Sequence, residues 1–355
     1  MHATARYLFF CCLISVSLSG FSQAKYLELI RVTDSVYVFK PKIDWTHSNC
    51  TVIVGRDGLF IVDTFLQTNY ADEAVKRLKE ISPLPVKYVF NTHGHADHVM
   101  GNSVFKAAFP LCTIIMNDST YSKYPRNYRY GNTMSNYSES IPELEKEIAD
   151  GKTAGGYALT ESMKTFWQWQ IDEAKAYLKS YKPVKPANAD LVFSDKLTLH
   201  FGGHDIILMR VSGEGHDVGD AMAWLPKQKI LITGDVVVTP TPYAIRGRVK
   251  EMIKSLQQII DMNPAVIIPG HGEIQQGLTY VKREQELFSV MQQKSLEAIR
   301  AGVPYKEAVN QIVIPADLES QFTQSDDVKK WAMKSFFTTW TIYGTYKQEN
   351  ALPPK

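Results

Sequence analysis

Cysteine is scarce in this sequence: four occur in 355 residues, at Cys11, Cys12, Cys50 and Cys112. So few exclude a disulfide-stapled scaffold. A dominant charge is also missing, with 39 basic side chains against 37 acidic ones. That balance argues against a nucleic-acid-binding surface as the main business of the chain. No apolar run reaches the roughly 20 residues that span a bilayer as a helix. There is no internal repeat, no low-complexity tract and no obvious interdomain linker.

The longest apolar run lies at the N-terminus. Met1 to Arg6 gives a short basic start, Tyr7 to Phe21 is apolar, and Ser22-Gln23-Ala24 supplies small residues where a signal peptidase reads. This order predicts a signal peptide over residues 1–24, cleaved before Lys25, and a periplasmic or secreted protein without a stable membrane anchor. Cleavage removes Arg6 and no acidic residue, so the 39 basic side chains fall to 38 against 37 acidic, and only Cys50 and Cys112 remain. Both stand at the start of predicted strands, where buried free thiols are expected.

From Lys25 to about Met116, short apolar runs (Ser35–Phe39, Cys50–Val54, Leu59–Val62, Val86–Phe90) surround one amphipathic helix over about 69–81. Strands return from Leu191 to Val238, and Ala265–Pro269 is a further short one ending in Gly-His-Gly. Two strand-rich halves with interspersed helices predict a layered α/β sandwich. Residues about 118–188 read instead as an insertion, polar and aromatic first, then helical over Leu159–Lys182. A helical extension over 278–355 follows the last histidine turn, its final helix running from Asp327 to Tyr346.

The segment Asn91-Thr92-His93-Gly94-His95-Ala96-Asp97-His98 puts four ligand-type side chains in six positions between a predicted strand and a predicted helix. Two histidines one residue apart on an extended turn aim at one point, while Asp97 and His98 at the helix start aim at an adjacent one. Three later elements add Gly215-His216-Asp217-Val218-Gly219-Asp220, Gly234-Asp235 and Pro269-Gly270-His271-Gly272. Five of the eight histidines beyond residue 24 fall at these positions.

The run His-x-His-x-Asp-His followed by these three elements, in this order, resembles the metallo-β-lactamase-fold hydrolase superfamily across about residues 50–277. The resemblance implies a four-layer αβ/βα sandwich over 25–277. It assigns His93, His95 and His216 to one metal, Asp97, His98 and His271 to a second, and Asp235 as a carboxylate bridging both. Neutral imidazoles and a shared anion suit two zinc ions, with iron or manganese as alternatives. Asp63 matches a supporting carboxylate of the family, and Thr92 is a further candidate behind the ligands.

The implied reaction is hydrolysis by a metal-bridging hydroxide, with Asp97 and Asp235 as the catalytic carboxylates, on a small ester, lactone, thioester or amide-type substrate. Known subfamilies fit incompletely. Zinc β-lactamases typically have Cys or Ser where Asp235 stands, and acyl-homoserine lactonases have Tyr where Val238 stands. Glyoxalase II-type thioesterases have Tyr shortly after the last histidine, where Gly272-Glu273 stand, and flavodiiron proteins have an acidic residue where His95 stands. β-Lactamase activity and an iron-dependent persulfide dioxygenase-like oxidation remain as alternatives. Specificity is expected from the insertion, through Tyr121, Tyr124, Tyr128, Tyr130, Trp167 or Trp169, with Trp45 and His47 as rim candidates and Asp220 as a turn cap. The partner is a small molecule, not a nucleic acid. The sequence sets no oligomeric state.

Overall fold

The computed structural model describes residues 24–42, 47–127, 130–180, 187–245 and 247–352. The expected leader through Gln23, and Trp45 and Tyr128, lie outside the described residues.

Seven strands form the first sheet in chain order: β1 (Leu27–Arg31), β2 (Val36–Pro41), β3 (Cys50–Val54), β4 (Leu59–Val62), β5 (Val86–Phe90), β6 (Thr113–Asn117) and β7 (Leu191–Phe193). The second sheet orders its six strands from β13 (Gln275–Gln276) through β12 (Val266–His271), β11 (Ile230–Val238), β10 (Ala221–Leu225) and β9 (His204–Arg210) to β8 (Lys196–Phe201). Hairpin neighbours pair antiparallel, whereas β4, β5, β6 and β7 are parallel in sequence, as are β11 and β12. The parallel pairs are joined by crossovers that carry helices: α1 (Thr68–Arg77), α2 (Ala96–Val99) and α3 (Asn102–Ala108) in the first half, and α7 (Val249–Met262) between β11 and β12.

Side-chain alternation fixes the layers. In β4, Phe60 and Val62 face the second sheet with Phe90, Ile206 and Ile232, while Leu59 and Ile61 face outward onto Tyr70, Ala74 and Phe105 of the first helical layer. On the far side, Val249, Met252, Leu256 and Ile259 recur along one face of α7 and pack with Leu231 and Ile267. Two sheets sandwiched between two helical layers give the expected αβ/βα order. Cys50 and Cys112 are both buried free thiols.

Between β6 and β7 the chain forms α4 (Asp118–Asn127), α5 (Tyr130–Asp150) and α6 (Glu161–Ser180). The stretch read as merely polar and aromatic therefore carries the two helices α4 and α5. After β13 come α8 (Thr279–Arg300), α9 (Tyr305–Gln311), α10 (Ala316–Thr323), α11 (Asp327–Ala332), a π-helical turn over Met333–Thr338 and α12 (Thr339–Gln348). The expected final helix is thus continuous but widened by that turn. It turns Phe336 toward Tyr243, their ring centroids 5.6 Å apart.

Glu284 on α8 is buried, with Oε2 lacking a hydrogen-bond partner. Burial pushes its carboxyl well above the usual range. The unfolded chain ionises near the ordinary Glu value of about 4.3, while the folded chain holds the proton. Stability is therefore greatest below that value and falls as pH rises toward the raised folded value. Glu284→Gln is expected to unfold at higher denaturant than the parent at neutral pH, with the gap closing at acid pH. Parallel pH profiles of the two proteins in urea melts would contradict this.

Candidate metal centre

The centre forms where the strand ends of both sheets meet. β5 ends at Phe90 and delivers Asn91–His95, and α2 begins immediately and presents Asp97 and His98. The Gly215–Asp220 turn before β10 carries His216, β11 carries Asp235 in its middle and β12 ends on His271. Gly270 is required here, since a Cβ at that position would lie 2.0 Å from Asp235 Oδ1. Gly234, at φ 54°, lies close to Thr92, whose Oγ1 would be 2.5 Å from an added Cβ.

Two groups result, with potential ligand atoms in each within 4.8 Å of one another: His93, His95, His216 and Asp235, and Asp97, His98, His271 and Asp235. Asp235 belongs to both, and its two oxygens divide between them. Oδ2 lies 3.3 Å from His216 Nε2 and 3.8 Å from His93 Nε2. Oδ1 lies 3.2 Å from His98 Nε2 and 3.3 Å from His271 Nε2. Asp97 Oδ2 completes the second group at 3.0 Å from His271 Nε2 and 3.3 Å from His98 Nε2, and His95 Nδ1 lies 3.0 Å from His216 Nε2 in the first.

These separations suit a divalent ion. Tetrahedral zinc with bonds of about 2.0–2.1 Å holds its ligand atoms roughly 3.3 Å apart. The fit is also chemical: His93 Nε2, His98 Nε2 and Asp235 Oδ1 are fully buried without a hydrogen-bond partner. Three such atoms converging in one place are costly unless something positive lies among them.

The electrostatics carry the same signature. Burial alone would raise the Asp235 carboxyl, but His271, His98 and His216 around it hold it well below the usual range. Asp97 is likewise held low, chiefly by His98 against the effect of burial. Burial pushes His93 down, helped by His98 and His95, and takes His216 to about 3. Burial would also lower His271, yet Asp235 and Asp97 override it and raise the imidazole to about 10.

Behind the ligands, the Asp63 carboxylate accepts from His98 Nδ1 at 2.8 Å, from Thr92 N–H at 2.9 Å and from the Thr92 hydroxyl at 2.8 Å. With its hydrogen given to Asp63, Thr92 Oγ1 is left to accept from His93 Nδ1, 3.1 Å away. One carboxylate thus turns Nε2 of both His93 and His98 toward the centre. Asp63 itself stands at φ 61°, a left-handed backbone that this network retains. Asp63→Ala is expected to weaken metal binding about 10 to 100-fold. Titration against a chelator of known affinity checks it, and unchanged affinity would reduce Asp63 to a turn residue.

Several participants escaped the sequence reading. Asp217 Oδ2 lies 3.7 Å from His95 Nε2, and its only signal was its place beside His216. The Ser48 hydroxyl donates to the Asp97 carbonyl, and Asn49 Nδ2 donates to the Pro269 and Gly272 carbonyls at 3.0 Å each, clamping the His271 turn. Tyr243 packs edge-on to His271, centroids 5.7 Å apart. Asp220, by contrast, was named as a turn cap, and it accepts from the His216 and Asp217 backbone.

Of the candidate specificity residues, Trp167 is buried, gives its indole N–H to Glu147 and packs on Trp331, so it docks the insertion. Trp169, two residues on, lines a cleft instead. Tyr121 is exposed, and Tyr124 and Tyr130 fall within α4 and α5. His47 is buried, its Nε2 3.1 Å from Glu173 Oε2, while the Tyr70 hydroxyl donates to Glu173 Oε1.

Residues 43–271, well over half of the chain, match the metallo-beta-lactamase superfamily. The chain belongs to that superfamily. It is 21% identical over 285 residues to a linear primary-alkylsulfatase from Pseudomonas sp., covering 75% of this chain and 50% of that protein. Among solved structures it resembles the stereoselective inverting sec-alkylsulfatase Pisa1 from Pseudomonas sp., with TM-score 0.63, 17% identity, and 91% of this chain against 50% of that one. A metallo-beta-lactamase from Pontibacter korlensis aligns with TM-score 0.51 and 15% identity, over 74% of this chain and 99% of that one. The chain spans about half the length of these two alkylsulfatases. Within that superfamily match it carries a His/Asp cluster suited to divalent metal ions.

Proposed function

We propose that this chain is an exported hydrolase that holds two zinc ions and cleaves small ester-type substrates, with sulfate esters of alcohols the first class to test. The observation that carries the dinuclear reading is Asp235, whose two oxygens face two separate groups of histidines. A single iron, as in the oxidative alternative, would leave one of these groups without its ion. Sulfate esters are put forward because alkylsulfatases recur among the relatives.

His93, His95 and His216 would hold one ion, Asp97, His98 and His271 the other, and Asp235 both. When bound, such ions acidify water to near neutral pH and polarise the oxygen of the scissile group. The chain's own contribution is to keep its ligands fixed and in the correct tautomer, through Asp63 and Thr92. Asp97 would be the carboxylate that takes a proton from the attacking water, supported by its side chain being 24% exposed against 3% for Asp235. Among the described residues no helix is long and apolar enough to cross a membrane, and the order of residues 1–24 supports export.

The test joins metal analysis of purified protein to turnover of alkyl sulfates, carboxylic esters, lactones, thioesters and β-lactams, with and without zinc. Two zinc per chain with zinc-dependent ester cleavage is expected. One iron per chain with sulfur oxidation and no hydrolysis would overturn the reading. For export, protein recovered outside the cytoplasm should begin at or near Lys25, and retention of Met1 would contradict it.

A further inference from the structure

Beside the centre, a cleft of about 390 Å³ opens between α5, α6 and the segment from α11 into the π-helical turn. Three of its walls lead directly to the ligands. His47 precedes Ser48, which pairs with the backbone of His271 and donates to the Asp97 carbonyl. Leu66 and Gln67 follow Thr64, whose backbone N–H and hydroxyl both donate to the His98 carbonyl. Phe336 packs on Tyr243, which packs on His271. The cleft thus borders the segments that carry the ligands.

Its lining is aromatic and mainly acidic, with His47 paired to one of the carboxylates. Trp169, Trp331 and Phe336 offer half-buried aromatic surface, and Glu143, Glu147 and Glu173 offer three carboxylates. No lysine or arginine lines it among the described residues. Lys330 and Lys334 flank Trp331 in sequence but line the neighbouring cavity, and Lys334 Nζ donates away to the Val309 carbonyl. Two of the carboxylates are held in place: Glu147 accepts from Trp167 Nε1 and Ala154 N–H at 2.6 Å each, and Glu173 binds His47 and Tyr70. Glu143 is exposed at the cleft.

We propose that this cleft is the leaving-group subsite of the centre and that it selects an apolar group carrying a positive charge, of the alkylammonium class. The inference rests on the hydrolytic reading of the centre. Aromatic faces attract a cation through their quadrupoles, the surrounding carboxylates add an attractive field, and the same field repels an anionic tail. An uncharged group of equal shape gains only the apolar contact.

Choline and 3,3-dimethylbutan-1-ol separate these contributions, being nearly isosteric and differing by the charge. Zinc-loaded full-length protein is titrated with each, reading indole fluorescence, for which Trp169 and Trp331 are the local probes. Choline is expected to bind about tenfold more tightly, with the ratio shrinking as salt is added. Glu143→Gln should reduce that ratio, and Trp169→Phe should remove much of the fluorescence change. Equal binding, tighter binding of the alcohol, no response to either up to its solubility, or a ratio untouched by Glu143→Gln would each overturn the proposal. Because binding is read without turnover, a failure of the hydrolytic reading is seen separately, as choline preference in a protein that cleaves no ester. The converse, ester cleavage without choline preference, leaves the hydrolase and removes the subsite.

Discussion

Asp235→Ala is expected to lower bound zinc from two ions per chain toward one and to cut turnover by at least about 100-fold. The lower bound follows because loss of an outer partner of a metal ligand already costs about 10 to 100-fold, and Asp235 faces both groups directly. Two dications without their shared anion repel each other, so one is expelled or loosened. The remaining ion still polarises a substrate, so the loss should fall on kcat more than on KM. Asp235→Cys should behave differently, since a thiolate can ligate one zinc and the known zinc β-lactamases commonly carry such a residue there. That variant is expected to keep two ions and to gain some β-lactam turnover. Two tightly held ions and full activity in Asp235→Ala would mean that the carboxylate only supports its strand, and the dinuclear reading would be lost.

Metal withdrawal should have an effect of comparable size. Chelation is expected to abolish hydrolysis, zinc to restore it, and the melting temperature to fall by about 5 °C or more, as for any ion held far above its dissociation constant. The dependence on pH has a definite sign. In the metal-free protein His271 is raised to about 10 by Asp235 and Asp97 and His98 is raised well above its ordinary value, so protons occupy the second group at neutral pH. A ligand imidazole must be neutral, so binding there releases protons and strengthens as pH rises. Each displaced proton changes the apparent affinity by about tenfold per pH unit below the raised value. The second ion should therefore leave first on acidification. Calorimetry in buffers of different ionisation enthalpy counts the protons released, and a zinc affinity flat between pH 6 and 8 would contradict the assignment.

What the sequence by itself determined is whatever depends on near neighbours. The spacing of His93, His95, Asp97 and His98 is read within one strand-to-helix turn, so it needs no knowledge of the rest of the chain. The alternation along β3, β4 and β11 and the apolar face of α7 are local periodicities for the same reason, and with the order of the four motif elements they made the sandwich legible. The helix α5 was not: Tyr130–Asp150 is amphipathic but interrupted by Pro142, and part of what fixes it is α6, through contacts such as Ile141 on Ile171 and Ala174. The different fates of Trp167 and Trp169 follow from which face of α6 meets Trp331. Asp217 beside His95, the joining of His47 to Glu173 across 126 residues, and the cleft that five separate segments enclose were decided only by the tertiary structure. Each depends on side chains brought together from distant parts of the chain, where a charge or a ring acquires its role from what it faces and carries no signal in its own neighbourhood.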